Sequence, residues 1–527
     1  MPELLDRLRF FSTTGQYKKL LQLVNRNPSA LDQIEVCWLH LNALLKGGSV
    51  EEAQRLLAKL GLRTLTSYEN LLWQRYQGEL LLTLEQTDES MDLFESILNK
   101  EEMDETLEVE VLNLLASAQL HQGRLDSTQP ILEKCLALAE TTNNFVEQGL
   151  AYNNLGNVMY YKGQFSEAKD LYEEALRSFE LVNNKLGIAN ASNNIGNIYA
   201  EEGEFFTALQ CYERANRYWE GVGNPIDVAV GLNNIADIEI IQGELFGALE
   251  KLGTALEHIE GISDEMMAVT FTNRAMAYLG LGRTEQAIND FQEALVLWKK
   301  TQNPQYIAEG IFQVVRASVE VEGTSVEALL DEFPPPPYET VVIDSLWGLV
   351  QAVLARRDKD FSQVISLVEE VLEKQTFGIE YQVYCHQELV EANLNLWRRK
   401  PSEELFKSLK VRMNDWENLC RTARLTAGLM NVLLVRAKVE LSQLDFRKAQ
   451  ALLHQVFLTS QETGLPLHQK LASKELELLK NWEILFGEGA TAEEFKTIQL
   501  LEAQSYIRDI SQTLVSFSDK KPSPSEL

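Results

Sequence analysis

Four asparagines stand at a strict step of 40 residues, Asn113, Asn153, Asn193 and Asn233, and the residues beside them recur with them. Asn153-Asn154-Leu155-Gly156-Asn157 returns as Asn193-Asn194-Ile195-Gly196-Asn197 and again as Asn233-Asn234-Ile235-Ala236-Asp237. Self-similarity at a fixed period of this size means a stack of like units, none of which buries its apolar face alone. That removes the reading in which 527 residues fold as several independent globules. A side chain offered repeatedly along one surface also points to a binding face more than to a single reaction centre.

Within a period the apolar residues fall three and four apart. Leu155, Val158 and Met159 form one stripe; Phe165, Ala168, Leu171, Tyr172, Ala175 and Phe179 form the next. This is the pattern of two amphipathic helices. Glycine recurs between the stripes at Gly123, Gly163, Gly203, Gly243 and Gly282, and it enters the positive-φ conformation of a helix-ending turn without steric cost. The unit is therefore an antiparallel helix pair. Small residues at Ala116, Gly156, Gly196, Ala236 and Ala275 in the first helix, and at Ala168, Ala208, Ala248 and Ala287 in the second, let neighbouring helices approach. A larger residue follows at Tyr172, Tyr212, Leu252 and Phe291, then another small one at Cys135, Ala175, Ala215, Ala255 and Ala294.

From about Leu107 to Lys300 this order resembles the tetratricopeptide repeat, a family of helical hairpins. The period exceeds the usual ~34 residues by about six, or one and two-thirds helical turns, and the usual closing proline is missing. The longer unit looks like that of the kinesin light chain and of the Leu-Gly-Asn-repeat polarity adaptors, both partner-binding scaffolds. The expected fold class is all-α, a superhelical solenoid of stacked antiparallel hairpins. Residues 1–106 read as degenerate hairpins, 107–300 as the well-formed array and 301–332 as a further degenerate hairpin. The four prolines within 333–338 cannot continue a helix and mark a spacer, although Pro-Pro-Pro-Tyr is also a motif that proline-recognising domains read. Residues 339–517 read as a divergent C-terminal helical array, and 518–527, rich in proline, serine and charge, as a disordered tail.

The resemblance implies that the first helix of each hairpin lines a concave face. Asn153 and Asn157 are four apart and share one side of that helix, as do Asn193/Asn197 and Asn233/Asp237. An asparagine amide both donates and accepts, so a ladder of them can grip the N–H and C=O of an extended peptide whatever its side chains. The expected peptide-binding residues are Asn113, Asn153, Asn157, Asn193, Asn197, Asn233 and Asp237, with Tyr160, and also Tyr161 and Tyr199, forming side-chain pockets. The adjacent Asn154, Asn194, Asn234 and Asn273 read instead as ties between neighbouring hairpins.

Charge narrows the partner. With 78 acidic against 48 basic residues the net charge is −30, which repels phosphate backbones and argues against nucleic acid. The ladder positions lack the lysines and arginines of the two-carboxylate clamp that this family uses for chaperone C-termini, so a neutral or basic segment is favoured. A local basic excess between Arg398 and Arg424 reads as a solvated face or a docking patch for an acidic partner. Five isolated cysteines fit a reducing compartment. The N-terminus does not read as a signal peptide, and no apolar run is long enough for a bilayer, so the expected location is cytoplasmic, without membrane insertion. No zinc spacing, phosphate loop or nucleophile elbow occurs; Leu279-Gly280-Leu281-Gly282-Arg283 is a hairpin turn in register. The sequence thus reads as a non-enzymatic protein-interaction scaffold without cofactor or metal. The alternatives are a regulatory sensor of a small molecule or signalling peptide, and an architectural subunit of a larger assembly.

Overall fold

In the computed structural model the described residues are 2–84, 86–100, 103–202, 204–301, 304–319, 330, 341–374, 379–422, 425–463 and 465–487. The proline-rich segment 333–338, the tail 518–527, Gly203 and Arg424 lie outside them. The described residues are all-α, as the periodicity demands, with 24 α-helices and one short 3₁₀ helix among them. In chain order these are α1 (Pro2–Thr13), α2 (Tyr17–Arg26), α3 (Ile34–Lys46), α4 (Val50–Gly61), α5 (Ser67–Thr83), α6 (Thr87–Leu98), α7 (Glu105–His121) and α8 (Leu125–Thr141). They continue with α9 (Phe145–Tyr161), α10 (Phe165–Leu181), α11 (Lys185–Glu201), α12 (Phe205–Val222), α13 (Pro225–Gln242), α14 (Leu245–Ile259), α15 (Asp264–Gly280) and α16 (Thr284–Thr301). The last are α17 (Pro304–Ser318), α18 (Val341–Arg357), α19 (Phe361–Glu373), α20 (Ile379–Arg399), α21 (Glu403–Thr422), α22 (Thr426–Ser442), α23 (Phe446–Thr463) and α24 (Pro466–Gly487).

Helices pack as sequential hairpins, α7 on α8, α9 on α10, α15 on α16 and α18 on α19, and second helices pack on the first helix of the next pair, as α6 on α7, α8 on α9, α14 on α15, α16 on α17 and α19 on α20. From α1 to α9 the odd-numbered helices also touch one another in succession. They therefore form an inner layer, and side chains on it face several hairpins at once. The chain divides into two units. One holds the described residues up to Tyr199 with Thr207–Gly231; the other holds Ala200–Phe206 with the described residues from Leu232 onward.

Two sorts of glycine shape a hairpin. Gly163, between α9 and α10, has φ +73° and nothing within 4 Å of where a Cβ would sit, so its role is conformational. Gly156 and Gly196 sit inside helices, where a Cβ would strike the rings of Tyr172 and Tyr212. The small-then-large pairing legible in the sequence is thus the contact that closes each hairpin. Between hairpins the chain turns through Asn143 (φ 51°), Asn183 (φ 51°) and Gly223 (φ 94°). Asparagine tolerates this left-handed conformation better than most residues. The next residue caps the following helix: Asn144 Oδ1 accepts from Glu147 N, Asn184 Oδ1 from Gly187 N and Asn224 Oδ1 from Ile226 N.

The same turns receive the N-terminal hairpins. Asn184 Nδ2 donates to Thr13 O and Lys185 N to Thr14 O, both at 3.0 Å. Gly15 lies against Asn184 and Leu186, and Gly48 against Asn224 and Pro225. The first two hairpins of this unit are therefore seated on turns some five hairpins further along the chain.

Candidate binding face

The recurring asparagines occupy the first helices of their hairpins, and their amides run from one hairpin to the next. Asn113 Nδ2 on α7 donates to the carboxylate and backbone oxygen of Glu147 on α9, at 2.7 and 3.0 Å. Asn154 Nδ2 reaches back to Ser117 Oγ at 3.2 Å. Asn194 Nδ2 donates to Asn153 Oδ1 at 3.0 Å and approaches Asn157 Oδ1 at 3.4 Å. In the second unit Asn233 Nδ2 donates to Thr270 Oγ1 at 2.9 Å, while Asn233 Oδ1 accepts from Asn273 Nδ2 at 3.0 Å. The adjacent asparagines at 153 and 154, and their counterparts, therefore meet across the hairpin interface. Buried amides need such partners, and Asn113, Asn153, Asn193 and Asn233 are all buried.

Asn157 and Asn197 have a second role. The hydroxyls of Tyr172 and Tyr212, on the following helices, donate to their Oδ1 atoms at 2.8 and 2.9 Å. Where the equivalent large residue has no hydroxyl, Leu252 or Phe291, the asparagine gives way to Asp237 or Met276. The Asn–Tyr bond thus ties the two helices of one hairpin. Asp237 is half-buried on α13.

The ladder is not exhausted by these bonds. Asn113 Oδ1, Asn157 Nδ2 and Asn273 Oδ1 are buried and have no hydrogen-bond partner. Of the tyrosines, Tyr160 packs at 5.4 Å on Phe165 and at 6.1 Å on exposed Tyr161. The half-buried Tyr199 ring carries Lys169 Nζ 4.1 Å from its centre.

The inner layer of the first unit also carries a charged cluster that sequence periodicity does not mark. Lys46 Nζ on α3 lies 2.7 Å from Glu79 Oε1 on α5, and Arg75 NH1 lies 2.5 Å from Glu79 Oε2. Arg75 Nε is 3.2 Å from Glu110 Oε2 on α7, next to the Asn113–Glu147 bond. Burial would raise the Glu79 carboxyl, but Arg75 and Lys46 overcome it and hold Glu79 below the usual carboxylate range. Glu110 and Glu147 move the other way. Burial raises both, and Glu110 adds to the effect on Glu147, whose pKa reaches about 7. The Arg75/Glu79 spacing of four was a legible signal of this cluster; its partners on α3, α7 and α9 were not.

A second buried polar group lies in the other unit. Arg356 NH1 on α18 approaches Glu388 and Glu391 on α20 at 3.2 and 3.4 Å, while the amides of Gln313 and Gln387 find no partner. In the basic stretch from Arg398, Arg412 pairs with Glu369, Arg421 with Glu417, and Arg399 lies over the Phe361 ring. No group of His, Cys, Asp or Glu among the described residues is placed to hold a metal ion, and no helix among them is long and apolar enough to cross a membrane.

Hairpins of paired helices with small-to-large closure and asparagine ties between units define an all-α helical-repeat protein. Residues 107–181, 153–220 and 267–302 each match a tetratricopeptide-repeat family model. The chain thus carries tetratricopeptide repeats over these residues. Similar solved structures include a Rap protein complexed with competence and sporulation factor, at 14% identity and TM-score 0.43, covering 78% of this chain and 98% of that one. The apo form of the quorum sensor NprR from B. thuringiensis is similar at 15% identity and TM-score 0.49, over 65% of this chain and 99% of that one. BtubC (BKLC) from P. vanneervenii is similar at 20% identity and TM-score 0.32, over 42% and 92%. No curated protein sequence matches the chain.

Proposed function

We propose that this chain is a non-enzymatic scaffold whose inner helical layer holds an extended, neutral or basic segment of a protein partner. The observation that carries the reading is the asparagine row. The fold uses part of each amide's hydrogen-bonding capacity, and in the first unit Asn113 Oδ1 and Asn157 Nδ2 remain without partners in a setting where unmet polar groups cost about 1–3 kcal/mol each. An extended backbone supplies both a donor and an acceptor at every residue and would satisfy such groups regardless of sequence. The net charge of −30 favours a segment that is not acidic.

The test replaces a rung without leaving a hole. Asn157→Met with Tyr172→Phe copies the Met276/Phe291 pair of this same chain and removes the free amide edge together with its tyrosine partner. Peptides selected from a pool of capped random decapeptides should lose affinity for this variant while amide-exchange protection of α9 and α10 stays near wild type. Failure to select any peptide, or equal affinity for the variant, would refute the reading.

A further inference from the structure

The charged cluster of the first unit has an unequal count. Lys46 and Arg75 are its cations; Glu79, Glu110 and Glu147 are its carboxylates. Glu79 takes both cations, at 2.7 and 2.5 Å, and the remaining edge of Arg75 faces Glu110 at 3.2 Å. Glu147 is left with the neutral Asn113 amide at 2.7 Å. The Oδ1 of that same amide is buried and accepts no hydrogen bond, in a residue only 3% exposed. Two acceptor-bearing groups therefore stand side by side with no cation of their own.

Burial across the cluster is uneven. The Arg75 and Glu79 side chains are 8% and 6% exposed, whereas Glu110 and Lys46 retain 29% and 34%. Glu110 is thus the most solvent-facing carboxylate of the three, with Glu147 only 9% exposed.

We propose that Glu110, Glu147 and Asn113 form a site for one guanidinium or ammonium group of a bound segment, and that this group replaces a proton held by Glu147. The inference rests on the peptide-binding reading above and adds the chemistry of one subsite. A guanidinium can donate to the Glu147 and Glu110 carboxylates and to Asn113 Oδ1 together, which matches the acceptors present. The exchange balances: neutral Glu147 and a protonated side chain give a carboxylate–cation pair and release one proton to solvent.

Titratable and charged groups face Glu147 from several helices. Tyr17 faces it from α2, Lys46 from α3, Arg75 from α5, Glu110 with Asn113 from α7 and Cys135 from α8. Burial pushes the Tyr17 hydroxyl and the Cys135 thiol up, so both stay neutral near pH 7. Lys46 and Arg75 remain cationic, and Glu79 ionised. Below pH 7 the empty site is balanced by the Glu147 proton, whose pKa is about 7.

The experiment uses the full chain and peptides selected from the random capped decapeptide pool. The expected result is a fixed arginine or lysine at one position of the selected set. A selected arginine peptide should lose at least tenfold in affinity when that arginine becomes citrulline, its neutral isostere. Its affinity should rise about tenfold from pH 6 to pH 8, as expected when only the Glu147 form ionised at a pKa of about 7 binds. Glu147→Gln should flatten that profile, while Glu147→Asp should retain a pH dependence. Selected peptides with no cationic position, or a citrulline peptide that binds equally well, would overturn this inference and leave the groove reading standing. A pH profile unchanged in Glu147→Gln would overturn the proton exchange. Selection of no peptide would overturn both.

Discussion

Gly196 tests the packing logic of the whole array. In Gly196→Ala the new Cβ would lie 2.7 and 2.8 Å from Cε1 and Cδ1 of Tyr212 and 3.2 Å from Cys211 Cβ. Ordinary contact begins near 3.4 Å, so the ring must retreat by about 0.7 Å, the difference between 3.4 and 2.7. Tyr212 is 1% exposed and its hydroxyl is held by Asn197 at 2.9 Å, so retreat strains the packing and the bond together. Overpacking costs about 1–3 kcal/mol and the weakened bond about 1 kcal/mol; alanine's better helix propensity returns about 1 kcal/mol. The net expectation is a loss of about 1–3 kcal/mol. Gly253→Ala is the control: its Cβ meets nothing within 4 Å, so it should gain up to about 1 kcal/mol. Local hydrogen exchange is the suitable assay, because a long repeat array does not unfold as one two-state unit. Slowly exchanging amides of α11 and α12 should speed up by roughly tenfold or more in Gly196→Ala, at ~1.4 kcal/mol per factor of ten. Adding Tyr212→Leu recreates the Ala236/Leu252 pair found one repeat later, and the double variant should be less damaged than the sum of the singles by about 1–2 kcal/mol. Additive effects, or exchange in Gly196→Ala as slow as in the control, would refute the reasoning.

Other perturbations separate structural amides from idle ones. Asn194→Leu strands Asn153 Oδ1 in a buried interface and should cost about 1–3 kcal/mol, read as faster exchange in α9 and α11. Gln387→Met removes an amide that is 0% exposed and without partners; protection of α20 should hold or improve, and a clear loss would show that this amide is engaged. His468 is buried with Nε2 2.7 Å from Asn431 Oδ1, and burial lowers its pKa to about 4. The unfolded value is near 6.5, so the unfolded chain takes up the proton first. Stability from this residue is complete above pH 6.5 and lost as pH falls towards 4, by about 3 kcal/mol in all. His468→Gln should flatten that slope when exchange in α24 is followed from pH 7 to pH 4.5; an unchanged slope would assign it to other groups.

The sequence made the hairpin legible because closure depends on residues a fixed distance apart: Gly156 meets Tyr172, and Gly196 meets Tyr212. It made less of the asparagines legible. Asn153 and Asn194 join because neighbouring hairpins pack at a particular angle, and no one-dimensional spacing encodes that angle. A further asparagine register, the caps Asn144, Asn184 and Asn224, follows the ordinary rule for helix starts and was open to sequence reasoning. Of the charged cluster only the Arg75/Glu79 spacing of four was. Lys46, Glu79, Glu110 and Glu147 share no period, since they come from the irregular N-terminal hairpins and their junction with the regular array. Only the contact of successive inner helices brings them together.

That division between periodic and aperiodic groups bears on how such a surface discriminates. An asparagine amide offers two donors and an acceptor with two lone pairs, and a tie between hairpins consumes only some of them. Repetition needed for stacking therefore leaves residual groups, in the first unit Asn113 Oδ1 as an acceptor and Asn157 Nδ2 as a donor, suited to a feature every peptide has, its backbone. Contacts to backbone alone set register weakly, because every residue of a segment offers the same N–H and C=O. Register requires a group that occurs once, and the cluster at Glu110, Asn113 and Glu147 is such a group on the inner layer of the first unit. A cation anchored there fixes which residue of a bound segment faces which rung. Moving the arginine of a selected peptide by one position should therefore cost more affinity than exchanging any two of its neutral residues, and equal costs would remove the cluster as the register-setting element.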